Sequence, residues 1–197
     1  MHVAVTCGRD PSGRWAMPWQ TMRSLSRFSM TSEAVRCGDG LCCDALLSRC
    51  DALLIAGEGA GDYIHTARHN DEAALFGAFL DEGIPVAGFG QGMQYINILL
   101  DGTLKRAGSA HAFGQPHRIY ASENLCLPEK ATVSSYHRQQ VEFPGDGLLI
   151  AATDETGVPE AIMHDCSPIF AVQWQPELIT CVADVWFFEY FASMCAA

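Results

Sequence analysis

The segment Pro85–Asn97, PVAGFGQGMQYIN, joins an apolar run, a glycine-rich turn and the start of a helical pattern. A strand that turns sharply into a helix exposes its apex residue beside free backbone N–H groups, and enzymes place a serine or cysteine nucleophile there. Here the apex is Gly90, which has no side chain and cannot bond covalently to a substrate. The segment therefore predicts a nucleophile elbow whose nucleophile is missing.

Glycine-rich turns between a strand and a helix also bind phosphates, so a nucleotide site is the first alternative. The stretch GFGQGMQ lacks the G-x-G-x-x-G spacing of dinucleotide-binding folds. Its strand is also not the first of the predicted sheet. The spacing disfavours a dinucleotide site.

Four segments in order resemble the class I glutamine amidotransferases, especially the gamma-glutamyl-hydrolase-like branch called peptidase C26. In that family the nucleophile segment runs P-[IV]-x-G-[IV]-C-x-G-x-Q-x-[IL]-N, which Pro85–Asn97 resembles. The other three segments are ALLIAGEGAGD, TVSSYHRQQVE and EAIMHDCSPIFAVQWQPEL. The resemblance runs from roughly residue 50 to the C-terminus, whereas the preceding residues match poorly.

The catalytic triad implied by the resemblance is incomplete. Gly90 stands where the family has its cysteine, Gln175 stands where it has the histidine base, and only Glu177 is retained. Cysteine-dependent amide hydrolysis needs a thiolate and a base that a third group orients. A glutamine amide cannot accept a proton near neutral pH. We therefore expect a degenerate homologue that keeps the fold and has lost this reaction.

The resemblance also implies a substrate pocket around the elbow. Gln94 corresponds to a position that contacts the amino-acid end of the substrate, and Glu58 replaces a small residue of the oxyanion loop. The Glu58 carboxylate could fill the pocket beside the positive end of the helix that begins at Gln91, or it could face solvent. The predicted pocket comprises Gly57, Glu58, Gln91, Gln94, Ser135, Tyr136 and His137.

Three functions remain open at this point. The chain could be a degenerate homologue that binds a small amino-acid or gamma-glutamyl ligand or a partner protein. It could be an enzyme with a rewired, cysteine-independent mechanism in which Glu177 or His137 activates water. It could also be a non-catalytic subunit of a complex, and a homo-oligomer is possible because the last helix is very apolar. The sequence predicts no cofactor.

The amino-acid composition disfavours some kinds of binding partner and indicates a cellular location. The formal net charge is −11 and no basic run exceeds two residues, which disfavours nucleic acid. No apolar stretch is long enough for a membrane span, and the first residues do not resemble a signal peptide, so we expect a cytoplasmic protein. The nine cysteines are irregularly spaced, which favours reduced thiols. Neither the cysteines of residues 37–50 nor the pair His65 and His69 predicts a metal site.

The elements that must position the elbow alternate between strands and helices. Predicted strands at His2–Cys7, Asp51–Gly57 and Ile84–Phe89 are separated by helical patterns, of which Asn70–Gly83 is the clearest. Short alternating runs follow from residue 117 to residue 174, and residues 180–195 form a final helix. Residues 8–40 are expected to be loops with one short helix. The pattern and the resemblance predict a single α/β domain over residues 1–197, with a mostly parallel central sheet flanked by helices in a flavodoxin-like three-layer arrangement.

Overall fold

The elements that carry the site are taken from a computed structural model, which describes residues 1–10, 12–57, 67–108, 115–122, 129–134 and 137–195. The strands are β1 (His2–Cys7), β2 (Thr31–Arg36), β3 (Ala52–Ile55), β4 (Val86–Phe89), β5 (Thr103–Arg106), β6 (Pro116–Ala121), β7 (Lys130–Ser134), β8 (Gln139–Phe143), β9 (Leu148–Asp154), β10 (Pro159–His164) and β11 (Ile169–Val172). The helices are α1 (Trp19–Arg27), α2 (Cys43–Leu47), α3 (Ala67–Asp81), α4 (Gln91–Leu99) and α5 (Val182–Met194).

Nine strands form the central sheet in the order β2-β1-β3-β4-β11-β10-β9-β6-β7, and β5 pairs with β8 separately. The strands from β2 to β11 in this order run parallel. The remaining strands continue the sheet in antiparallel pairs. The expected α/β fold is confirmed, and its parallel part carries the elbow at the carboxyl end of β4.

Side chains that alternate along the buried strands divide the core between the two faces of the sheet. Helices α1 and α5 cover one face, and helices α2, α3 and α4 cover the other, which gives three layers. The first core includes Val3, Val5, Leu25, Leu54, Phe187, Phe188 and Phe191. The second includes Ala4, Leu46, Leu53, Ile55, Leu75, Phe79, Met93 and Ile96.

The structure corrects the expectation for residues 8–40. Besides α1, this region contains β2, which pairs in parallel with β1 at the edge of the sheet. Only Val35 of its sequence TSEAVR is buried, since a strand at the edge of the sheet is only partly covered by its neighbours. The strand therefore lacks the apolar pattern of a buried strand. Helix α3 also begins at Ala67, so Asn70 lies inside the helix rather than capping it, whereas Gly83 follows its end with φ of +66°.

Among the described residues, no helix is both long enough and apolar enough to cross a membrane. The eight cysteines in the described part of the chain are free thiols, and those at positions 7, 37 and 50 are buried.

Candidate functional site

The elbow lies where β4 ends and α4 begins. Gly90 is buried between these elements with φ of +56° and ψ of −119°, a conformation that side chains rarely adopt. Its N–H donates to the carbonyl oxygen of Val172 at 2.9 Å, which fixes the turn to the end of β11. The turn predicted at Gly90 is therefore present, together with the backbone geometry that a nucleophile elbow needs.

The Gln175 side chain approaches the apex directly. A Cβ atom added at residue 90 would lie 2.7 Å from Gln175 Nε2 and 3.8 Å from the Gly57 Cα. Real Cβ atoms essentially never approach another heavy atom below 3.0 Å. The space that a nucleophile side chain would enter is therefore already bounded by the amide of Gln175.

Gly57, at the end of the segment that follows β3, packs its backbone against the elbow. A Cβ at this position would lie 2.4 Å from the Phe89 carbonyl oxygen and 2.6 Å from the Gln91 backbone nitrogen. Both contacts involve backbone atoms, which cannot swing away as a flexible side chain can. Only glycine allows this approach, so Gly57 holds the wall of the site against the start of α4.

Neutral amides form a buried hydrogen-bonded chain beneath the elbow. Gln94 Nε2 donates to the Gln139 carbonyl oxygen at 2.7 Å and to Gln173 Oε1 at 3.0 Å. Gln173 Nε2 in turn donates to the Gly90 carbonyl oxygen at 3.3 Å. Both glutamine side chains are almost fully buried. This chain ties α4, β8 and β11 to the apex without any ionisable group.

Glu177 lies in a short 3-10 turn, Pro176–Leu178, that follows β11. Its Oε2 atom is shielded from solvent, and its carbonyl oxygen accepts a hydrogen bond from Ser24 Oγ of α1 at 2.9 Å. The next residue after the turn, Ile179, has φ of +48°, which is strained for a β-branched residue. The hydrogen bond from α1 therefore holds the Glu177 turn in place against the strain at Ile179.

A buried carboxylate with two histidines, here called the Glu160 cluster, lies beside the amide chain. Glu160 is fully buried on β10, and its Oε1 atom is 3.2 Å from His117 Nε2 and 3.6 Å from His137 Nε2. His137 Nδ1 contacts the Gln139 carbonyl oxygen at 2.8 Å, the same oxygen that accepts from Gln94. The cluster is therefore connected to the elbow through one shared carbonyl.

The two charges of the cluster stabilise each other. Burial alone would raise the pKa of Glu160, but hydrogen bonds and charge attraction from His117 and His137 outweigh it and lower that pKa. Burial would likewise lower the pKa of His117, but the hydrogen bond and the charge of Glu160 raise it above its ordinary value. The contact thus favours the ionised form of Glu160 and the protonated form of His117.

The predicted site residues fall into two groups. Gly57, Gly90, Gln91 and Gln175 meet at the elbow, and Gln94 lies beneath it, while His137 is buried against Glu160. Glu58, Ser135 and Tyr136, like the histidine at position 65, lie outside the described residues.

The sequence reasoning missed three residues, Gln173, Glu160 and His117. A signal existed for Glu160, since a lone charge inside the apolar run PEAIM is unusual for a buried strand. His117 gave no signal because its partner is 43 positions away, from residue 117 to residue 160.

An exposed surface borders the Glu177 turn on the side of α1. An open cavity of about 370 Å³ is lined there by Trp19, Arg23, Arg27 and Leu178, among others. Trp19 is 67% exposed and Leu178 is 45% exposed, and Val182 nearby in sequence is also exposed. Within the described part of the chain neither arginine has an acidic partner. We call this region the α1 surface.

The fold is shared with known glutamine amidotransferase structures. The crystal structure of a GMP synthase subunit from Thermoplasma acidophilum superposes with a TM-score of 0.80 at 20% sequence identity, covering all of this chain and 94% of that one. This likeness shows the fold, an α/β fold of the class I glutamine amidotransferase type.

Sequence comparison narrows the class to a family. The profile of Peptidase C26 matches residues 43–177. A Mycobacterium tuberculosis protein named as a glutamine amidotransferase is 33% identical over 133 residues, which is 60% of this chain and 43% of that protein. A subunit of a glutamine-hydrolysing GMP synthase from Methanoculleus marisnigri is 27% identical over 130 residues, covering 64% of this chain and 70% of that one. The chain belongs to the peptidase C26 family of class I glutamine amidotransferase-like proteins, and it spans less than half the length of the Mycobacterium relative.

Proposed function

We propose that this family member does not hydrolyse amides through a cysteine and that its elbow serves binding instead. One observation carries the proposal. The position of the nucleophile is a glycine, and the amide of Gln175 lies 2.7 Å from where its Cβ would be. Neither residue can form a thioester or accept a proton from a thiol. The natural ligand in this proposal is a small amino acid or a gamma-glutamyl compound.

A rewired hydrolase is less well supported. A replacement base needs an unprotonated nitrogen or carboxylate oxygen that faces a substrate. Both ring nitrogens of His137 are engaged, Nδ1 with the Gln139 carbonyl oxygen and Nε2 with Glu160. Glu177 has its Oε2 atom shielded from solvent. These contacts favour positioning roles for both residues over activation of water.

Hydrolysis assays test the primary proposal. Release of ammonia from glutamine and cleavage of gamma-glutamyl amides should stay at the rate of a heat-denatured sample. A thiol-reactive glutamine analogue should leave no label that maps to the elbow peptide. Turnover that this analogue abolishes would overturn the proposal, because it would show that another cysteine had become the nucleophile.

A second candidate function, a non-catalytic subunit of a complex, is favoured by the α1 surface. Tryptophan and arginine are the residue types that contribute most to binding at protein interfaces. Trp19, Arg23 and Arg27 lie together on α1, on a chain whose net charge is otherwise strongly negative. The relatives named as GMP synthase subunits are by name parts of a larger assembly. A partner with an acidic contact surface would complement this region.

Charge reversal distinguishes the subunit proposal from simple ligand binding. If a partner protein copurifies with the chain, Arg23→Glu should abolish copurification, since the contact is electrostatic as well as apolar. Arg118→Glu, at an exposed position on β6, is the matched control and should leave it unchanged. Equal recovery of the partner with both variants would contradict docking at the α1 surface.

The proposed protein is a single domain that acts in the cytoplasm. Strands of the central sheet come from residues 2 to 172, which supports one domain. Free thiols at all eight described cysteines support a reducing compartment such as the cytoplasm.

A further inference from the structure

Three side chains of different chemistry converge near the amino ends of β1, β2 and β3, away from the elbow. His2, Glu33 and Cys50 each offer one ligand atom, and these atoms lie within 4.8 Å of one another. Glu33 Oε1 is 3.6 Å from His2 Nε2 and 3.2 Å from Cys50 Sγ. Parallel strands begin at the same edge of a sheet, so the fold itself brings these distant residues together.

Two of the three separations, both from Glu33 Oε1, are close to those between the ligands of a tetrahedral metal ion. Bonds of about 2.0 Å to nitrogen and oxygen and about 2.3 Å to sulfur imply ligand-to-ligand distances of about 3.3 Å for N–O and about 3.6 Å for S–O. The observed distances of 3.6 Å and 3.2 Å differ from these by a few tenths of an ångström. The third pair, His2 Nε2 and Cys50 Sγ, lies within 4.8 Å, so rotation of these two side chains toward each other would complete the geometry.

The hydrogen bonds around His2 fix which ring nitrogen faces the carboxylate. Thr31 Oγ1 donates its hydrogen to the Met1 carbonyl oxygen at 3.1 Å. The same hydroxyl lies 2.9 Å from His2 Nδ1, and while it donates to Met1 it accepts the Nδ1 proton. In that tautomer of the neutral ring Nε2 carries a lone pair that faces the Glu33 carboxylate, an arrangement in which a cation is favourable. Metal-binding histidines are oriented in this way by a partner on the other ring nitrogen.

Glu33 also has an outer partner. Arg49 donates to Oε1 at 2.6 Å and to Oε2 at 3.1 Å, which holds the carboxylate plane in position. A carboxylate oxygen has lone pairs for more than one partner. The Cys50 thiol contacts the same Oε1 atom, and an ion would take the place of its proton. Arg49 can keep its contacts while an ion binds on the side of Cys50 and His2.

We propose that His2, Glu33 and Cys50 form a zinc site with three protein ligands and a fourth position for water. A mixed sulfur, nitrogen and oxygen set suits Zn²⁺ better than Mg²⁺ or Ca²⁺, which prefer oxygen ligands alone. Binding converts the Cys50 thiol to a zinc-bound thiolate and releases one proton to solvent. The site shares no residue with the elbow, so a test of zinc binding neither supports nor contradicts the proposed function.

Cobalt substitution tests the site on the full chain without an affinity tag. Co²⁺ should bind with a stoichiometry of one and give a thiolate-to-cobalt charge-transfer band with the strong visible bands of tetrahedral coordination. Zn²⁺ should displace it. Zn²⁺ added to the metal-free protein should release one proton per ion and raise the urea midpoint of unfolding. A spectrum of octahedral Co²⁺ without a charge-transfer band would overturn the proposal.

Variants identify the ligands. Cys50→Ser should abolish the charge-transfer band, whereas Cys42→Ser, at an exposed thiol nearby in sequence, should leave it intact. Because Cys50 is buried, its substitution could also disturb folding, so a second variant, His2→Gln, tests the half-exposed ligand. Loss of a residue that only orients a ligand weakens metal binding by roughly 10–100-fold, and His2→Gln should weaken zinc binding by more than that. Thr31→Val should weaken it by about that factor. Unchanged binding by His2→Gln would exclude this site.

Discussion

The elbow and the Glu160 cluster lie on neighbouring strands and use opposite kinds of polar group. The elbow is lined by neutral amides, from Gln94 and Gln173 to Gln175, whereas the cluster pairs a buried carboxylate with histidines. A backbone hydrogen bond of 2.8 Å, from the Gln173 N–H to the Glu160 carbonyl oxygen, connects the two regions. Ionisable groups are thus retained where they hold strands together and absent where a nucleophile and base would act.

This contrast separates two roles that polar side chains have in a protein core. An amide satisfies its neighbours at every physiological pH, but it cannot move a proton near neutrality. A carboxylate with a histidine partner gives its full stabilisation only while both are charged. We therefore expect the two regions to respond differently to mutation and to pH.

The largest effect is expected from Glu160→Gln. The substitution leaves the protonated His117 without its buried counter-charge, and removing one partner of a buried ion pair costs about 3–5 kcal/mol. Urea unfolding at mildly acidic pH measures the loss. Glu142→Gln, at an exposed position on β8, is the control and should change stability little.

The destabilisation caused by Glu160→Gln should also depend on pH. The raised pKa of His117 contributes stability that is complete below its ordinary pKa and is lost as pH rises through the folded value. The lowered pKa of Glu160 contributes stability that is lost as pH falls through its folded value. The cost of Glu160→Gln should therefore shrink in alkaline buffer. A cost that does not change with pH would mean that the cluster holds no ion pair.

A smaller effect is expected from Gly90→Ala. The positive φ of residue 90 costs a side chain about 1–3 kcal/mol, and the new Cβ would also contact Gln175 Nε2. Gln175→Ala should remove the contact with Nε2 and leave the backbone strain unchanged. A double-mutant cycle, measured by urea unfolding of both single variants and the double variant, should therefore show a smaller cost of Gly90→Ala when Gln175 is already alanine. Strict additivity would show that the two side chains do not meet.

The smallest effects come from a pair of glycine substitutions with opposite signs. Gly57→Ala places a Cβ against backbone atoms of the elbow and should destabilise the protein by about 1–3 kcal/mol. Gly77→Ala is the matched control, because Gly77 lies inside α3 with nothing within 4 Å of the added atom. It should stabilise the protein by up to about 1 kcal/mol. Thermal unfolding midpoints that fall for both variants would show that the close approach at Gly57 is not special.

Much of the fold was predictable because the buried strands and the amphipathic helices have clear periods. The strand β4 and helix α4 around Gly90 combine an apolar run with a helical pattern, and both were predicted. The edge strand β2 and the short strand β5 were missed, since the segments TSEAVR and TLKR are polar and largely exposed. The periodic spacing of apolar residues arises because one face of an element is buried, so an element with little buried surface is hard to predict from sequence.

The site was predictable only in the part that has a linear motif. The resemblance at WQPE predicted that Gln175 faces Gly90, and the Gln175 amide does lie beside the apex of the turn. The contact between Glu160 and His117 depends on how β6 and β10 flank β9, and no local pattern encodes that order. Likewise, His2 and Cys50 become neighbours only because parallel strands begin at one edge.

The positive φ at Gly90 has a consequence for how this lineage can change. A mutation that introduces cysteine there would lower stability at once, while cysteine-dependent hydrolysis would still need a base such as a histidine at position 175. Natural selection would therefore meet a loss before any gain, in a protein with only a small margin of stability to spare. A cysteine elbow with a histidine base would therefore require changes at both position 90 and position 175, and the first of them alone lowers stability.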